Sequence, residues 1–301
     1  MLEPCLRSIY TSNLSQNLLE VIIVDNSSTD NTVEIVREKF PKVMILQNIE
    51  NVGFASANNQ AMRIAKGRYI LLLNPDTLLE ANSLKLLLAG IKHYPHAGAV
   101  GPRIMSPKGE YQLVSARKLP TPFSTIFRLL WLDRIIPKVA AYCVAYSKIQ
   151  SDLKVAAISG ACTLIPREVL DDIGFLDESL PMGGEDIDWY FRMRNRGYNI
   201  YYLAQPRVIH IGGASRVLDI SRSDTEEFKS YYYYFLKHFG LRAAYQYRMI
   251  LGVSMLLRGL FLVGKMIINS PQNRLIRKRS PVTPARRKKK KGPVKMEIVA
   301  I

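Results

Sequence analysis

A chain of 301 residues, 48% hydrophobic and 22% charged, can bury one large core or two small ones and is not a disordered polymer. Its net charge is +17, but eleven Lys and Arg and no acid lie between Arg274 and Lys295, and taking those eleven away leaves +6. The basic excess therefore belongs to one segment rather than to the fold.

Cys5, Cys143 and Cys162 are widely spaced. They match neither a metal-site spacing nor an even-numbered disulfide framework, which points to a reducing compartment. Met1 to Pro4 carries no basic segment followed by an apolar one, so no signal peptide is expected.

In chain order, Glu3 to Tyr10 reads as a helix with a partial apolar face. Glu20 to Val24 is a strand of β-branched residues. It ends in the polar loop Asp25 to Thr32, rich in cap and turn formers. Asp30 or Thr32 is the candidate cap for a helix running to Lys39. Lys42 to Gln47 is a strand, Asn51 to Phe54 a loop and Ala55 to Lys66 a helix. Ile70 to Leu73 is wholly apolar, as a strand buried on both faces would be. Asn74-Pro75-Asp76 ends it, because proline cannot donate to a ladder. A helix is predicted from about Leu78 to His93. The alternation to residue 93 has the period of parallel βαβ units.

Ala97 to Val114 reads as short strands joined by Gly and Pro turns. The stretch 119–150 contains an apolar, basic run, Phe123 to Ile136, that fits ordinary packing best, with an acceptor-side flap or a membrane-contacting helix as the other readings. Strand character returns from Val155 to Ile165, and a short helix, Arg167 to Ile173, ends at Gly174. Gly183-Gly184 opens a further helix with Glu185 and Asp186 in its first turn, where the helix dipole favours negative charge. Tyr198 to Leu203 and Arg207 to Ile211 read as two strands. Thr225 to Phe239 is a helix. Gln246 to Asn269 is apolar over about a membrane span's length, but Arg258 and Lys265 interrupt it. An interfacial amphipathic helix fits that pattern, and a packed hairpin is the other reading.

Several acids have a joint chemical logic. Asp25 and Asp76 fall at the C-terminal ends of strands, where open α/β sheets bind ligands. Glu185-Asp186 follows a glycine hinge, and His210 ends a later strand. A carboxylate and an imidazole can hold a divalent cation, which can neutralise a diphosphate leaving group. A separate carboxylate can take a proton from an attacking hydroxyl. Each residue also has a plainer reading. Asp25 can form an Asx turn, Asp76 can cap a helix, Glu185-Asp186 can be a helix-terminal charge pair, and His210 can be a satisfied strand-end side chain.

Val21 to Thr32 (VIIVDNSSTDNT) resembles the nucleotide-binding segment of glycosyltransferase family 2, the inverting enzymes with the GT-A fold. Asn51 to Asn59 (NVGFASANN) resembles the glycine-containing segment next after it, Asn74-Pro75-Asp76 the variant metal and diphosphate motif, and Gly184 to Arg192 the catalytic-acid helix. The rhamnosyltransferase-like members are the most similar subgroup, and the likeness covers roughly residues 1 to 240. It implies a Rossmann-like, mainly parallel sheet flanked by helices. A C-terminal helical region (241–270) and a disordered basic tail (271–301) would come after it.

The resemblance also implies roles. Asp25 and Asn26 would recognise the donor base, with Asn51, Gly53 and Asn59 in the same nucleotide-sugar site. Asp76 would bind Mg²⁺ or Mn²⁺ and the diphosphate, with His210 as a second metal ligand. Asp186 would be the general base and Glu185 the second choice. The donor would be a dTDP- or UDP-sugar, carrying rhamnose or another hexose, and the acceptor a cell-envelope or lipid-linked glycan. The anomeric centre would invert.

The chain departs from that pattern at its start. Members of the family open with a buried central strand and a nucleotide-contacting loop, and here Glu3 to Tyr10 resembles the helix that comes after that loop. The expectation is an empty position in the sheet, explained by another segment filling it, by a misassigned gene start, or by a truncated, catalytically impaired copy. Basic residues between Arg274 and Lys295 suit an anionic membrane, so a cytoplasmic protein at the inner face of the cell membrane is expected. A nucleic-acid-binding protein using Arg286 to Lys291 is a remote alternative, because no nucleic-acid fold is recognisable, and no nucleic-acid partner is expected.

Overall fold

The computed structural model describes residues 2–15, 19–121, 124, 150–180, 183–211, 220–268 and 296–300. Helix α1 (Leu2–Tyr10) buries Leu2, Cys5, Leu6 and Ile9, a single stripe at helical spacing. β1 (Val21–Asp25) is buried at all five positions, so both of its faces are covered. α2 (Thr32–Lys39), β2 (Met44–Gln47), α3 (Phe54–Ile64) and β3 (Tyr69–Leu73) complete the expected alternation. The first turn of α2 is tied by the Asp30 carboxylate, which accepts the Thr32 N–H at 3.1 Å.

The remaining elements are β4 (Thr77–Leu79), α4 (Ser83–His93), β5 (Ala97–Met105), a 3₁₀ turn (Leu113–Ser115), β6 (Ala116–Arg117), β7 (Leu153–Val155), β8 (Ala157–Ile158), β9 (Cys162–Pro166), α5 (Arg167–Ile173), α6 (Glu185–Asn195), β10 (Asn199–His210), α7 (Ile220–Ile268) and β11 (Met296–Ala300). The helix expected from Leu78 begins later, at Ser83. Thr77 instead folds back on Asn74, its N–H and hydroxyl both bonded to the Asn74 carbonyl. That turn presents Thr77 to Leu79 to β10 as a strand, with Leu79 opposite Val208. The two strands expected at 198–203 and 207–211 are one, with a register break between Tyr202 and Arg207 where Pro206 has no N–H to give.

The sheet runs in the order β2-β1-β11-β3-β9-β5-β10-β4, with β7 also on β10. It is mixed. β1 and β2 are parallel, as are β5 and β10, whereas β9 runs antiparallel to both β3 and β5. The central position expected to be empty is filled. β11 lies between β1 and β3, antiparallel to both. The expected disordered tail over 271–301 is thus corrected at its end, where residues 296–300 form a strand. A buried row of unpaired backbone groups on β1 and β3 would cost about 1–3 kcal/mol for each group, and a segment with strand-forming Ile298 and Val299 removes that cost. The basic run before it, and the apolar run 123–136 apart from Ser124, lie outside the described residues.

Side chains from alternate sheet positions build two cores. Val21, Ile23, Leu71 and Leu73 pack with α1, α2 and α4, whereas Ile22, Val24, Ile70 and Leu72 pack with α3, α5 and α6. A third cluster joins Ile187 of α6 to Tyr231, Tyr234, Phe235 and Tyr247 of α7. α7 is broken at Gly240 (φ 81°), a backbone conformation open to glycine. No described helix is long and apolar enough to cross a membrane.

Candidate active site

The ends of β1, β3 and β10 and the start of α6 carry the residues the sequence singles out. Asp25 closes β1 and is buried. One of its oxygens accepts the Ser28 N–H at 3.0 Å, the Asx-type bond that the polar loop allows. Asn26 is also buried. Its amide bridges β1 to the neighbouring loops, donating to the Gly53 carbonyl at 3.4 Å and accepting from Asn48 at 2.9 Å. Asn51 is exposed and holds the loop before α3, its carboxamide oxygen taking the Gly53 N–H at 3.0 Å.

Asn59 is buried in α3. Both of its amide hydrogens are used, on the Leu176 carbonyl at 2.9 Å and Glu178 at 2.7 Å, and its oxygen takes the Leu176 N–H at 3.0 Å. Ser56 and Arg63 reach the same Glu178 carboxylate. The residue joins α3 to the loop after α5.

Asp76 and His210 come together. The Asp76 Oδ1 lies 3.2 Å from His210 Nε2, and the Asp76 carbonyl takes the Ile211 N–H at 2.9 Å. The pairing of β4 with the end of β10 brings them there, with His210 opposite Thr77. Beneath the turn, Cys5 of α1 contacts the Asn74 carbonyl and the Thr77 hydroxyl. Burial pushes the Cys5 thiol up to about 12, so it stays neutral. The other ring nitrogen of His210, Nδ1, is buried and has no hydrogen-bond partner among the described residues. A carboxylate oxygen beside an imidazole nitrogen fits Mg²⁺ or Mn²⁺. Among the described residues no third His, Cys, Asp or Glu joins them.

Asp186 stands across a turn from that pair. Asn74 donates to the Ala161 carbonyl at 2.9 Å, and a Cβ added to the preceding Gly160 would lie 3.4 Å from Asp186 Oδ2. The turn Ser159 to Ala161 is thus the wall between the two carboxylates. Asp186 Oδ2 is hydrogen-bonded and ion-paired to Arg117 of β6, and its Oδ1 is buried with no partner among the described residues.

Glu185 is buried and accepts the Gly183 N–H at 2.6 Å. Burial, and then the charge of Asp186, push its carboxyl up to about 8, so it holds its proton at neutral pH. α6 itself is seated tightly: a Cβ on Gly184 would come within 2.9 Å of Ser230 in α7, so only glycine permits that approach.

Two further groups escape the sequence motifs. Arg117 sits in a Pro-rich, non-periodic stretch with no local signal. Asp188, two residues beyond Asp186, is fully buried and bonded to Arg192 Nε at 2.8 Å, Lys237 Nζ at 2.7 Å and His238 Nε2 at 2.7 Å. Burial opposes its charge, but the bonds from His238 and Lys237 and the charge of Arg192 outweigh that and hold the carboxyl at about 2. Arg192 also donates to the Ile173 and Phe175 carbonyls, both at 2.6 Å. The signal for this clamp was the pairing of an acid in α6 with the Lys-His dipeptide after the tyrosine run.

Known proteins resemble this chain over much of its length. An N-acetylglucosaminyl-diphospho-decaprenol L-rhamnosyltransferase of Mycobacterium tuberculosis is 27% identical over 220 residues, 64% of this chain and 66% of that protein. The O-antigen biosynthesis protein RfbC of Myxococcus xanthus is 26% identical over 219 residues, 71% of this chain but 17% of its own length. The chain thus spans just under two thirds of the first relative and a minor part of the second. Among solved structures, GalNAc-T7 with UDP, GalNAc and Mn²⁺ superposes with a TM-score of 0.52 at 17% identity, over 69% of this chain and 40% of that one. The mannosyltransferase PcManGT of Pyrobaculum calidifontis, with GDP-Man and Mn²⁺, superposes with a TM-score of 0.50 at 19% identity, over 91% of this chain and 78% of that one. The fold is therefore the expected GT-A α/β architecture. The family described as Glycosyl transferase family 2 matches residues 1–174, more than half of the chain, and the protein belongs to it.

Proposed function

We propose that the chain is an inverting glycosyltransferase that moves rhamnose or another hexose from a dTDP- or UDP-linked donor to a cell-envelope or lipid-linked glycan. The observation that carries this reading is the meeting of Asp76 and His210 at 3.2 Å, one turn of chain away from Asp186. In this reading Asp25 and Asn26 hold the base end of the donor. Asp76 and His210 would hold Mg²⁺ or Mn²⁺, which would supply charge neutralisation for the diphosphate leaving group.

Asp186 takes the proton of the acceptor hydroxyl. The acceptor oxygen then bonds to the anomeric carbon as the bond from that carbon to the diphosphate breaks, with an oxocarbenium-like transition state and inversion. The burial of Glu185 and its bond from the Gly183 N–H support Asp186 over Glu185 for that task. Arg117 aims the Asp186 carboxylate through their ion pair. The names of the mycobacterial and Myxococcus relatives support an envelope glycan as acceptor.

Membrane contact belongs to the same reading. Leu241, Tyr245, Met249, Val253, Leu256 and Leu260 of α7 are all exposed. Their spacing places them within about a third of the helix circumference. Such a face, with the basic run 274–295 after it, suits peripheral binding to an anionic leaflet.

Calorimetric titration with a dTDP- or UDP-sugar and Mn²⁺ tests the proposal. Metal-dependent binding that Asp76→Asn abolishes upholds it. Binding that is indifferent both to metal and to Asp76 removes it.

A further inference from the structure

Among the described strands, β11 alone comes from beyond α7, and it lies where the site is framed. Its register sets Met296 opposite Asp25 and Ile298 opposite both Ile23 and Leu73. Its N-terminal end therefore meets the C-terminal ends of β1 and β3. Those are the ends that carry Asp25 and lead into Asn74-Pro75-Asp76. With β11 between them the two strands stand two strand spacings apart, about 10 Å. Without it, β1 and β3 have no ladder partner on their facing sides among the described strands: β1 keeps only β2, and β3 only β9.

We propose that residues 296–300 are a positioning element of the donor site, a strand that the chain supplies to its own sheet to fix the separation of Asp25 and Asp76. Donor binding then depends on a segment far in sequence from every donor-binding motif. The inference rests on the donor-site reading of those two carboxylates. It adds that the distance between the base end and the diphosphate end of the donor is set by an inserted backbone. That backbone runs antiparallel to the strands it joins and is connected to neither by a short loop. Its pairing is held by ladder hydrogen bonds, so it can be weakened selectively by removing one donor.

Hydrogen exchange on the full chain, with Val299→Pro beside the unmodified protein, tests this. Val299 pairs with Ile22 on one side and Leu72 on the other, and proline there deletes an N–H in a central strand. In the unmodified protein the amides of 297–300 are expected to exchange as slowly as those of Ile22 to Val24. In the variant that protection is lost, and amides of Val21 to Asp25 and Ile70 to Leu73 exchange at least about tenfold faster. In the same variant, titration with UDP and with dTDP, each with Mn²⁺, shows affinity reduced at least about tenfold.

Fast exchange at 297–300 in the folded, unmodified chain overturns the inference whether or not the variant folds. A variant that loses β11 protection yet binds nucleotide unchanged also overturns it, and leaves the donor reading standing. If the unmodified chain binds neither nucleotide, the donor reading fails and the donor-positioning role falls with it, whatever the exchange data show.

Discussion

Arg117 is locked onto Asp186. One guanidinium nitrogen, Nη2, serves both the Asp186 carboxylate and the Ile158 carbonyl, the latter at 2.7 Å, and both side chains of the pair are nearly buried, at 11% and 14% exposure. The ion pair spans β6 and α6, so the geometry of the proposed base is set by a strand outside the main sheet.

Asp186→Asn is expected to lower kcat by about 10²–10⁴-fold, the range for loss of a general base, with donor affinity unchanged. Arg117→Lys keeps the charge but loses the planar fork, and should lower kcat by about tenfold with little change in KM for the donor. Steady-state kinetics on both variants check this. An Asp186→Asn enzyme of normal kcat would remove Asp186 from the chemistry.

Replacing His210 by Ala should weaken Mn²⁺-dependent nucleotide binding by at least about tenfold, equivalent to about 1.4 kcal/mol. It should do so without a matching loss in the absence of metal, because His210 touches the donor only through the cation in the proposed site. Paired calorimetric titrations with and without Mn²⁺ give the answer.

Glu185 should make the protein less stable in alkali. Its carboxyl is raised from 4.5 to about 8 in the fold, so its contribution is fully present below pH 4.5 and is lost as pH rises through 8. Glu185→Gln cannot ionise, and its Tm should fall less between pH 6 and pH 9 than that of the unmodified protein. Thermal unfolding at the two pH values measures the difference, and equal slopes would contradict the buried, protonated assignment.

Asp188 has the opposite sign. Its carboxyl is lowered from 3.8 to about 2, so its stabilisation is present above pH 3.8 and disappears as pH falls through 2. Asp188→Asn should cost about 2–3 kcal/mol at pH 7. That is less than the roughly 3–5 for one partner of a fully buried pair, because the Lys237 side chain is 37% exposed and solvent screens it. Urea unfolding at pH 7 and pH 2.5 should show the penalty shrinking in acid.

Flotation with anionic vesicles tests the exposed face of α7. Met249→Glu with Leu256→Glu should release the protein from vesicles of phosphatidylglycerol while leaving its soluble fold intact, because both side chains are exposed, at 69% and 64%. Binding unchanged by loss of residues 274–295 would take the basic run out of the membrane role.

Most of the site was legible because its residues stand where periodicity breaks. Asp25 and Asp76 come directly after runs of β-branched and aliphatic residues, and His210 ends another, so strand ends announced them. The motif around Asn59 marks the segment it belongs to, whereas its hydrogen-bond partners, Leu176 and Glu178, lie far off in sequence. Arg117 was invisible for the same reason. It is positioned by a two-residue strand pairing with Ala157, which no local pattern encodes. The filling of the sheet was legible as a need but not as a solution. A missing centre can be inferred from β1 and β3, but a five-residue strand beyond a long basic run has no periodicity to separate it from a tail.

The order of the chain then has a consequence for biosynthesis. Val21 is opposite Ala300 in the ladder, so the middle of the sheet cannot close while the ribosome is still making α7. Throughout that interval β1 and β3 present open edges to any neighbouring strand, the exposure that promotes aggregation. Closing so long a loop is also slow. Expression at low temperature, or with chaperones in excess, should therefore raise the yield of correctly closed protein more than it raises the yield of chains whose sheets are built from adjacent segments.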